Sequence, residues 1–315
     1  MELQDKFVEN VIFSFRKQGE EWLKALPWLL NYCEKKWDLV MKDPYTLSFN
    51  YVAPAVRRDG SEVVVKIGLP GQGFNHELDA LQTLNPKGIV QLLDAERERG
   101  VFLLEKVKPG TMLATVECEE DVCQIAAMVM KRLVAPAEME KEFPTTKDRE
   151  DDLARIYEEN PTGFGPFSRK TLRRALNVFA NMNTTMPASK LLHGDFHHYN
   201  ILSDGTGSWI AIDPKGLIGE VEYDLIQFLM NCLPEEGAYE IIANRVKQLS
   251  HELNLNVKRL LLWGYAHSVL SSAWTVDVKT GEYNRSFSQC VDIFKHLYEK
   301  YFGQSIDDFL GKRAP

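Results

Sequence analysis

Hydrophobic and polar positions divide the chain into three regimes. From Phe7 to Val40 the apolar residues recur at helical spacing, Phe7, Val8, Val11, Ile12 and Phe15, then Trp22, Leu23, Leu26, Leu29 and Leu30. Such a stripe is one face of an amphipathic helix. Gly19 and Pro27 interrupt it, so two or three short helices are expected rather than one long one. The period then changes. Leu47–Val56 and Glu62–Ile67, joined through Arg57-Arg58-Asp59-Gly60, read as a hairpin whose Asp-Gly supplies the positive-φ turn. After a helical stretch over Phe74–Leu84, two further strands are expected over Gly88–Asp94 and Val101–Val107, which gives an antiparallel sheet of about four or five strands. Beyond Pro109-Gly110 the period is helical for most of the chain, over Asp121–Leu133, Ser168–Asn183, Tyr223–Cys232, Tyr239–Leu253, Val257–Val276 and Ser286–Phe302. This is an α+β pattern in two lobes. A small antiparallel sheet with leading helices occupies 1–107, a hinge is expected near 105–108, and a mainly helical lobe follows over 108–315.

Polar residues inside the apolar runs carry the chemistry. Lys66 lies among Val63, Val64, Val65 and Ile67, where a lysine is either a strand-edge residue facing water or a cation held against a partner. Glu77 lies on the following helix, off the stripe made by Leu78, Leu81 and Leu84. A strand lysine paired with a glutamate on the next helix is the arrangement that holds the α- and β-phosphates of ATP in protein kinases. Glu105 and Val107, at the end of the last strand, are placed where backbone groups could pair with an adenine ring.

The densest polar stretch is Leu191–Asp224. His193-Gly194-Asp195 is followed by Asn200, and Asp213 comes after the apolar run Trp209–Ile212. Asp195 can accept a proton from an attacking hydroxyl, and Asn200 and Asp213 are hard oxygen ligands of the kind magnesium takes. The plainer alternative is that these residues only form turns, which Asn and Asp readily do. A metal hydrolase built on His193, His197 and His198 is a further alternative, although adjacent histidines seldom point at one ion.

Composition narrows the classes. A chain of 315 residues with a net charge of −8 offers no basic footprint for nucleic acid or anionic lipid. No apolar run has the length of a membrane span, the N-terminus lacks the pattern of a signal peptide, and five scattered cysteines argue for a reducing compartment, so a cytoplasmic location is expected. Between Ala135 and Asn160 nine acids oppose four bases. That excess is either a solvated face or an overhang above a pocket for a cationic small molecule.

With these residues in place, the chain resembles the aminoglycoside phosphotransferase superfamily, and within it the streptomycin 6-kinase and hydroxyurea kinase branch. The resemblance rests on Gly19-x-x-Trp22-Leu23, on Asn50-Tyr51-Val52-Ala53-Pro54-Ala55, on His193-Gly194-Asp195-x-x-x-x-Asn200-Ile201-Leu202, and above all on Asp213-Pro214-Lys215-Gly216. It implies a bilobal protein-kinase-like fold that uses a nucleoside triphosphate, ATP or GTP, with magnesium to phosphorylate a hydroxyl. Carried over residue by residue, Asp195 would be the catalytic base, Asn200 and Asp213 the metal ligands, Lys66 the phosphate clamp and Glu77 its partner. His193 and Asp224 would brace the catalytic loop, and Lys215 would add positive charge near the phosphates. The loop Ser48–Pro54 has no glycine, unlike the phosphate loop of protein kinases, so backbone amides around Asn50 and Tyr51 are expected to serve instead. The helix over Ala266–Asp277 resembles a branch segment ending in Trp and two acids, but here Trp274 and Asp277 give one acid. They are the expected wall and anchor of the acceptor. A nucleotide-binding sensor that has lost catalysis is the alternative from another class.

Overall fold

The computed structural model describes residues 3–84, 88–133, 135–136 and 141–311. They gather into two compact units, Met1–Thr111 with Ser203–Lys215, and Met112–Leu202 with Gly216–Pro315. The first unit therefore runs past the expected hinge and takes back a later segment, the one carrying Asp213.

In the first unit, α1 covers Asp5–Trp37 but is broken at Arg16, whose φ of 53° and ψ of −132° are not helical. The break falls there and not at Pro27, which stays inside the helix. It brings the two halves against each other, with Phe7 edge-on to Trp22 at 6.0 Å. Gly19 marks the closest approach, since a Cβ at this position would lie 2.7 Å from the Val11 carbonyl oxygen. The strands are β1 (Leu39–Met41), β2 (Tyr51–Arg57), β3 (Glu62–Ile67), β4 (Leu92–Glu96) and β5 (Val101–Glu105), in the order β1-β2-β3-β5-β4. All neighbours are antiparallel. Apolar alternation on β2 and β3 turns Tyr51, Ala53, Ala55, Val63, Val65 and Ile67 into a core shared with Phe7, Val11, Trp22 and Leu26 of α1.

The strand expected over Gly88–Asp94 is split. Ile89 bridges Ala211 in parallel, with Ala211 N–H bonded to the Gly88 carbonyl and Val90 N–H to the Ala211 carbonyl, each at 2.9 Å. β4 starts only at Leu92 and shifts register before Asp94. The short strand Trp209–Ala211 is thus built into the first unit by backbone hydrogen bonds.

The second unit contains α3 (Glu119–Leu133), α4 (Thr146–Glu159), α5 (Arg169–Thr184), α6 (Val221–Asp224), α7 (Ile226–Met230), α8 (Ala238–Leu253), α9 (Val257–Trp274), α10 (Arg285–Phe302) and α11 (Ile306–Gly311). The helix expected over Tyr223–Cys232 is two short ones, because the turn at Leu225 separates α6 from α7. A small sheet sets Lys190–Leu192 between Leu217–Gly219 and Ala135–Pro136. α9 is buried on every side from Leu260 to Ala273, as befits a central helix that is apolar all round. It packs closely on α10 at Gly264, where an added Cβ would stand 2.4 Å from the Phe294 ring. α4 begins with a capping box in which Thr145 and Asp148 each bond the other's backbone. Of the acids in the Ala135–Asn160 stretch, Glu138 and Glu140 lie outside the described residues. Among the described residues no helix is long and apolar enough to cross a membrane.

Candidate active site

Two groups of the expected residues come together, one in each unit. In the first, Lys66 lies in the middle of the sheet, paired with Val52 on β2 and Phe102 on β5. It is therefore not an edge lysine. It is 5% exposed, and its Nζ bonds Glu77 Oε1 at 2.5 Å and also Asp213 Oδ1. Glu77 reaches it because α2 (Gln72–Thr83) is pinned to the sheet by Phe74, stacked on Phe102 at 4.1 Å. Burial alone would drive the ammonium towards neutrality, but the two carboxylates outweigh it and raise the Lys66 pKa. Glu77 is raised by burial, and Lys66 is the main influence opposing it.

Asp213 sits at φ 59°, a left-handed conformation that Asp tolerates better than most residues. Lys215 Nζ is 2.9 Å from the same Oδ1 that Lys66 holds. Burial pushes this carboxyl upwards, and the two ammonium groups more than reverse it, so Asp213 is held well below the usual carboxylate range. An ionised aspartate is the form that binds a hard cation.

The remaining expected residues of this unit are more loosely arranged. Tyr51 opens β2 with its ring in the core, 3% exposed, opposite Ile67. Asn50 precedes it and closes on Gly68, where a Cβ would stand 2.7 Å from Asn50 Oδ1. Glu105 accepts the Gln91 N–H at 2.7 Å through its side chain and donates its own N–H to the Gln91 carbonyl at 3.0 Å. This double use of Glu105 accompanies the register shift in β4. Val107 follows, half-buried, between Lys106 and Lys108, which both pair with Glu62 and lower its pKa to about 2.

In the second unit the chain leaves strand Lys190–Leu192 and turns at Gly194, φ 81°. Asp224, 3% exposed at the end of α6, accepts both backbone N–H groups of this turn, His193 at 2.9 Å and Gly194 at 2.8 Å. Burial raises Asp224 to about 7 against the lowering effect of these two bonds. The Asp195 N–H donates to His193 Nδ1 at 3.3 Å, and Asn200 Nδ2 donates to the Asp195 carbonyl at 3.0 Å. Asn200 is therefore oriented by its amide nitrogen, which leaves its amide oxygen for a ligand. The three histidines diverge. His193 receives the Asp195 amide, His197 receives the Tyr199 amide at 3.2 Å, and His198 stacks on Phe228 at 4.2 Å. Among the described residues no three His, Cys, Asp or Glu side chains gather as metal ligands. A magnesium ion needs fewer protein groups than such a cluster, because waters and phosphates supply the rest, and an ionised Asp213 in the first unit and the amide oxygen of Asn200 in the second are each donors of the kind it takes.

Trp274 ends α9 and is 44% exposed. Asp277 is exposed too, and one of its oxygens accepts Lys279 N–H at 2.7 Å and Thr280 N–H at 3.3 Å, closing its own turn. The charge that lies against Trp274 is instead Arg149 of α4, whose guanidinium carbon is 5.3 Å from the ring centroid. Behind them, Tyr223 Oη bonds His267 Nδ1 at 2.8 Å, and Gln227 bonds His267 Nε2 at 3.2 Å. Sequence reasoning counted Arg149 only as one base in an acidic stretch. Its contact with Trp274 joins residues far apart in the chain, and no local pattern announces it.

The sequence model of the aminoglycoside/hydroxyurea antibiotic resistance kinase family matches residues 42–279. The streptomycin 6-kinase of Streptomyces glaucescens is 26% identical over 287 residues, 88% of this chain and 92% of that protein. The hydroxyurea phosphotransferase of Kitasatospora aureofaciens is 27% identical over 264 residues, 82% of this chain and 76% of that protein. Among solved structures, aminoglycoside phosphotransferase APH(4)-Ia in a ternary complex with ADP and hygromycin B aligns with a TM-score of 0.59 at 15% identity, over 84% of this chain and 97% of that one, a likeness of fold. The chain belongs to the aminoglycoside/hydroxyurea antibiotic resistance kinase family and is a phosphotransferase with an alcohol group as acceptor.

Proposed function

We propose that the chain transfers the γ-phosphoryl group of ATP, with magnesium, to a hydroxyl of an aminoglycoside-like acceptor of the streptomycin type or of a related small molecule such as hydroxyurea. The observation that carries this reading is Lys66, buried in the central strand and held between Glu77 and Asp213. A lysine so compensated stays charged and exchanges a carboxylate for phosphate oxygens without leaving the sheet. Lys66 would bind the α- and β-phosphates, Glu77 would fix its position, and Lys215 would add charge beside Asp213. Backbone groups at Asn50, Tyr51, Glu105 and Val107 would frame the nucleotide.

Asp213 and Asn200 would hold magnesium, which when bound neutralises charge on the β- and γ-phosphates. Asp195 would orient the acceptor hydroxyl and take its proton. The acceptor oxygen forms a bond to the γ-phosphorus, the bond from that phosphorus to the bridging oxygen breaks, and ADP leaves with the electron pair. Asp224 would keep the Gly194 turn rigid through its two N–H bonds, so that Asp195 is presented in one geometry.

The test is magnesium-dependent ATP turnover against streptomycin, other aminoglycosides, hydroxyurea and small amino or sugar alcohols. Asp195→Ala is expected to lower kcat by about 10²–10⁴-fold with nucleotide affinity little changed, the usual size for a lost general base. Unchanged turnover in that variant would remove Asp195 from the mechanism.

A further inference from the structure

The acidic stretch over α4 suggests a pocket for a cation, yet four of its acids are committed elsewhere. Asp148 caps the helix by bonding Thr145, Glu150 and Asp151 pair with Lys147, and Asp152 pairs with Arg155. Glu150 also accepts from Asn183 at 2.7 Å. Asp277 is occupied by its own turn. Arg149 pairs with none of these acids and has the Tyr223 hydroxyl as a hydrogen-bond partner. It is half-buried, and among the described residues it forms no ion pair with a carboxylate. Its neighbours are the exposed Trp274 ring and the Tyr223–His267–Gln227 chain of hydrogen bonds. Arg149 and Asp195 also act on His267 in opposite senses, Arg149 disfavouring its protonation and Asp195 favouring it, which places both within electrostatic reach of one ring.

A guanidinium cannot shed its proton, and its planar fork of donors is completed by a pair of oxygens. Arg149 rests on the tryptophan face with one bond to the Tyr223 hydroxyl, which leaves donors of its fork for a further oxygen. A second cation brought to the Trp274 face would meet repulsion from Arg149 instead.

We infer that Arg149 binds an oxygen of the acceptor, so that the molecule phosphorylated carries a carbonyl or carboxylate near its reacting hydroxyl rather than a guanidinium or ammonium. This rests on the kinase reading and narrows its acceptor, with hydroxyl compounds such as hydroxy acids and hydroxamide-like molecules favoured over streptomycin-type polycations.

The experiment combines steady-state kinetics and calorimetric titration, with gluconate, glycerate, hydroxyurea and streptomycin as probes, on the wild type, Arg149→Ala, Arg149→Lys and Arg149→Glu. Melting temperatures establish that each variant folds, and Arg149→Lys keeps the charge if Arg149→Ala does not fold. For oxygen-bearing acceptors, Arg149→Ala is expected to raise KM by about 10–100-fold, the range for a charge-assisted hydrogen bond, with kcat changed less than about threefold. Arg149→Lys should recover part of the loss, and Arg149→Glu should reverse the order of preference towards streptomycin. Tighter wild-type binding of streptomycin than of every oxygen-bearing probe, unaltered in Arg149→Glu, would overturn the inference and leave the kinase reading intact. Absence of turnover that depends on Asp195 would overturn the kinase reading instead. The titrations decide the inference in that case too, since wild-type binding of gluconate, glycerate or hydroxyurea that Arg149→Ala weakens sustains it, and no binding of any of them overturns it.

Discussion

At the scale of single residues, the buried charges and imidazoles set measurable demands. Lys66 neutralises Glu77 and Asp213 together, so Lys66→Met should cost about 3–5 kcal/mol of stability, the range for removing one partner of a buried ion pair. The double variant Lys66→Met/Glu77→Leu should recover part of that in urea unfolding. No recovery would mean that the loss came from packing. His198 is 2% exposed, stacked on Phe228, with neither ring nitrogen bonded among the described residues. His267 is 4% exposed and is bonded by Tyr223 and Gln227. Burial first, and Arg245 beside His198 or Arg149 beside His267, push both imidazoles to about 3. A histidine depressed in the folded state and ordinary when unfolded contributes stability above pH 6.5 and loses it as the pH falls towards 3. At pH 5 each should have lost about 2 kcal/mol. Urea midpoints at pH 7, 6 and 5 should therefore fall more steeply in the wild type than in His198→Leu, and parallel profiles would show that His198 titrates normally. The sequence showed that Lys66 and Glu77 belong together, because eleven positions of one strand and the next helix separate them. It was silent on the environment of His198, which Phe228 and Arg245 create from helices that follow much later.

At the scale of elements, periodicity located the sheet and the long helices but missed their breaks. The Phe7–Val40 stripe is regular on both sides of Arg16, and the close approach of Gly19 to Val11 across the break is a relation between two turns of helix that no local rule contains. The same kind of contact governs α9 and α10. Gly264 lets the Phe294 ring lie against the helix backbone, so even Gly264→Ala forces a shift and should cost about 1–3 kcal/mol, as overpacking does. A gain in melting temperature, as expected from helix propensity alone, would refute this packing. Thr145→Ala should cost about 1 kcal/mol by removing the cap of α4. Because α4 carries Arg149, fraying of its first turn should also raise KM for the acceptor, whereas Gly264→Ala should act on stability first.

At the scale of the whole molecule, the segment Ser203–Lys215 matters most. It follows the Asp195–Asn200 loop in sequence yet is built into the first unit, where Ala211 bonds Gly88 and Val90 and Asp213 reaches Lys66, 147 positions away. The spacing from Asp195 to Asp213 was legible from the sequence because it is local. The meeting of Asp213 with Lys66 was not, because it depends on how this segment pairs with residues Gly88–Val90. That meeting gives Asp213 two competing interactions, with Lys66 in the absence of ligand and, in the proposed reaction, with magnesium. Removing it should affect the two unequally. In Asp213→Ala, Lys66 loses one anion and is freer to bind phosphate, so ADP affinity without magnesium should not fall and should change by less than about threefold, whereas the gain that magnesium brings should be lost. Calorimetric titration of ADP with magnesium and with a chelator, in the wild type and in Asp213→Ala, reads both quantities. Retention of the full magnesium effect would exclude Asp213 as a ligand. Loss of affinity under both conditions would make Asp213 a structural anchor of the inserted segment rather than a group that works on the nucleotide.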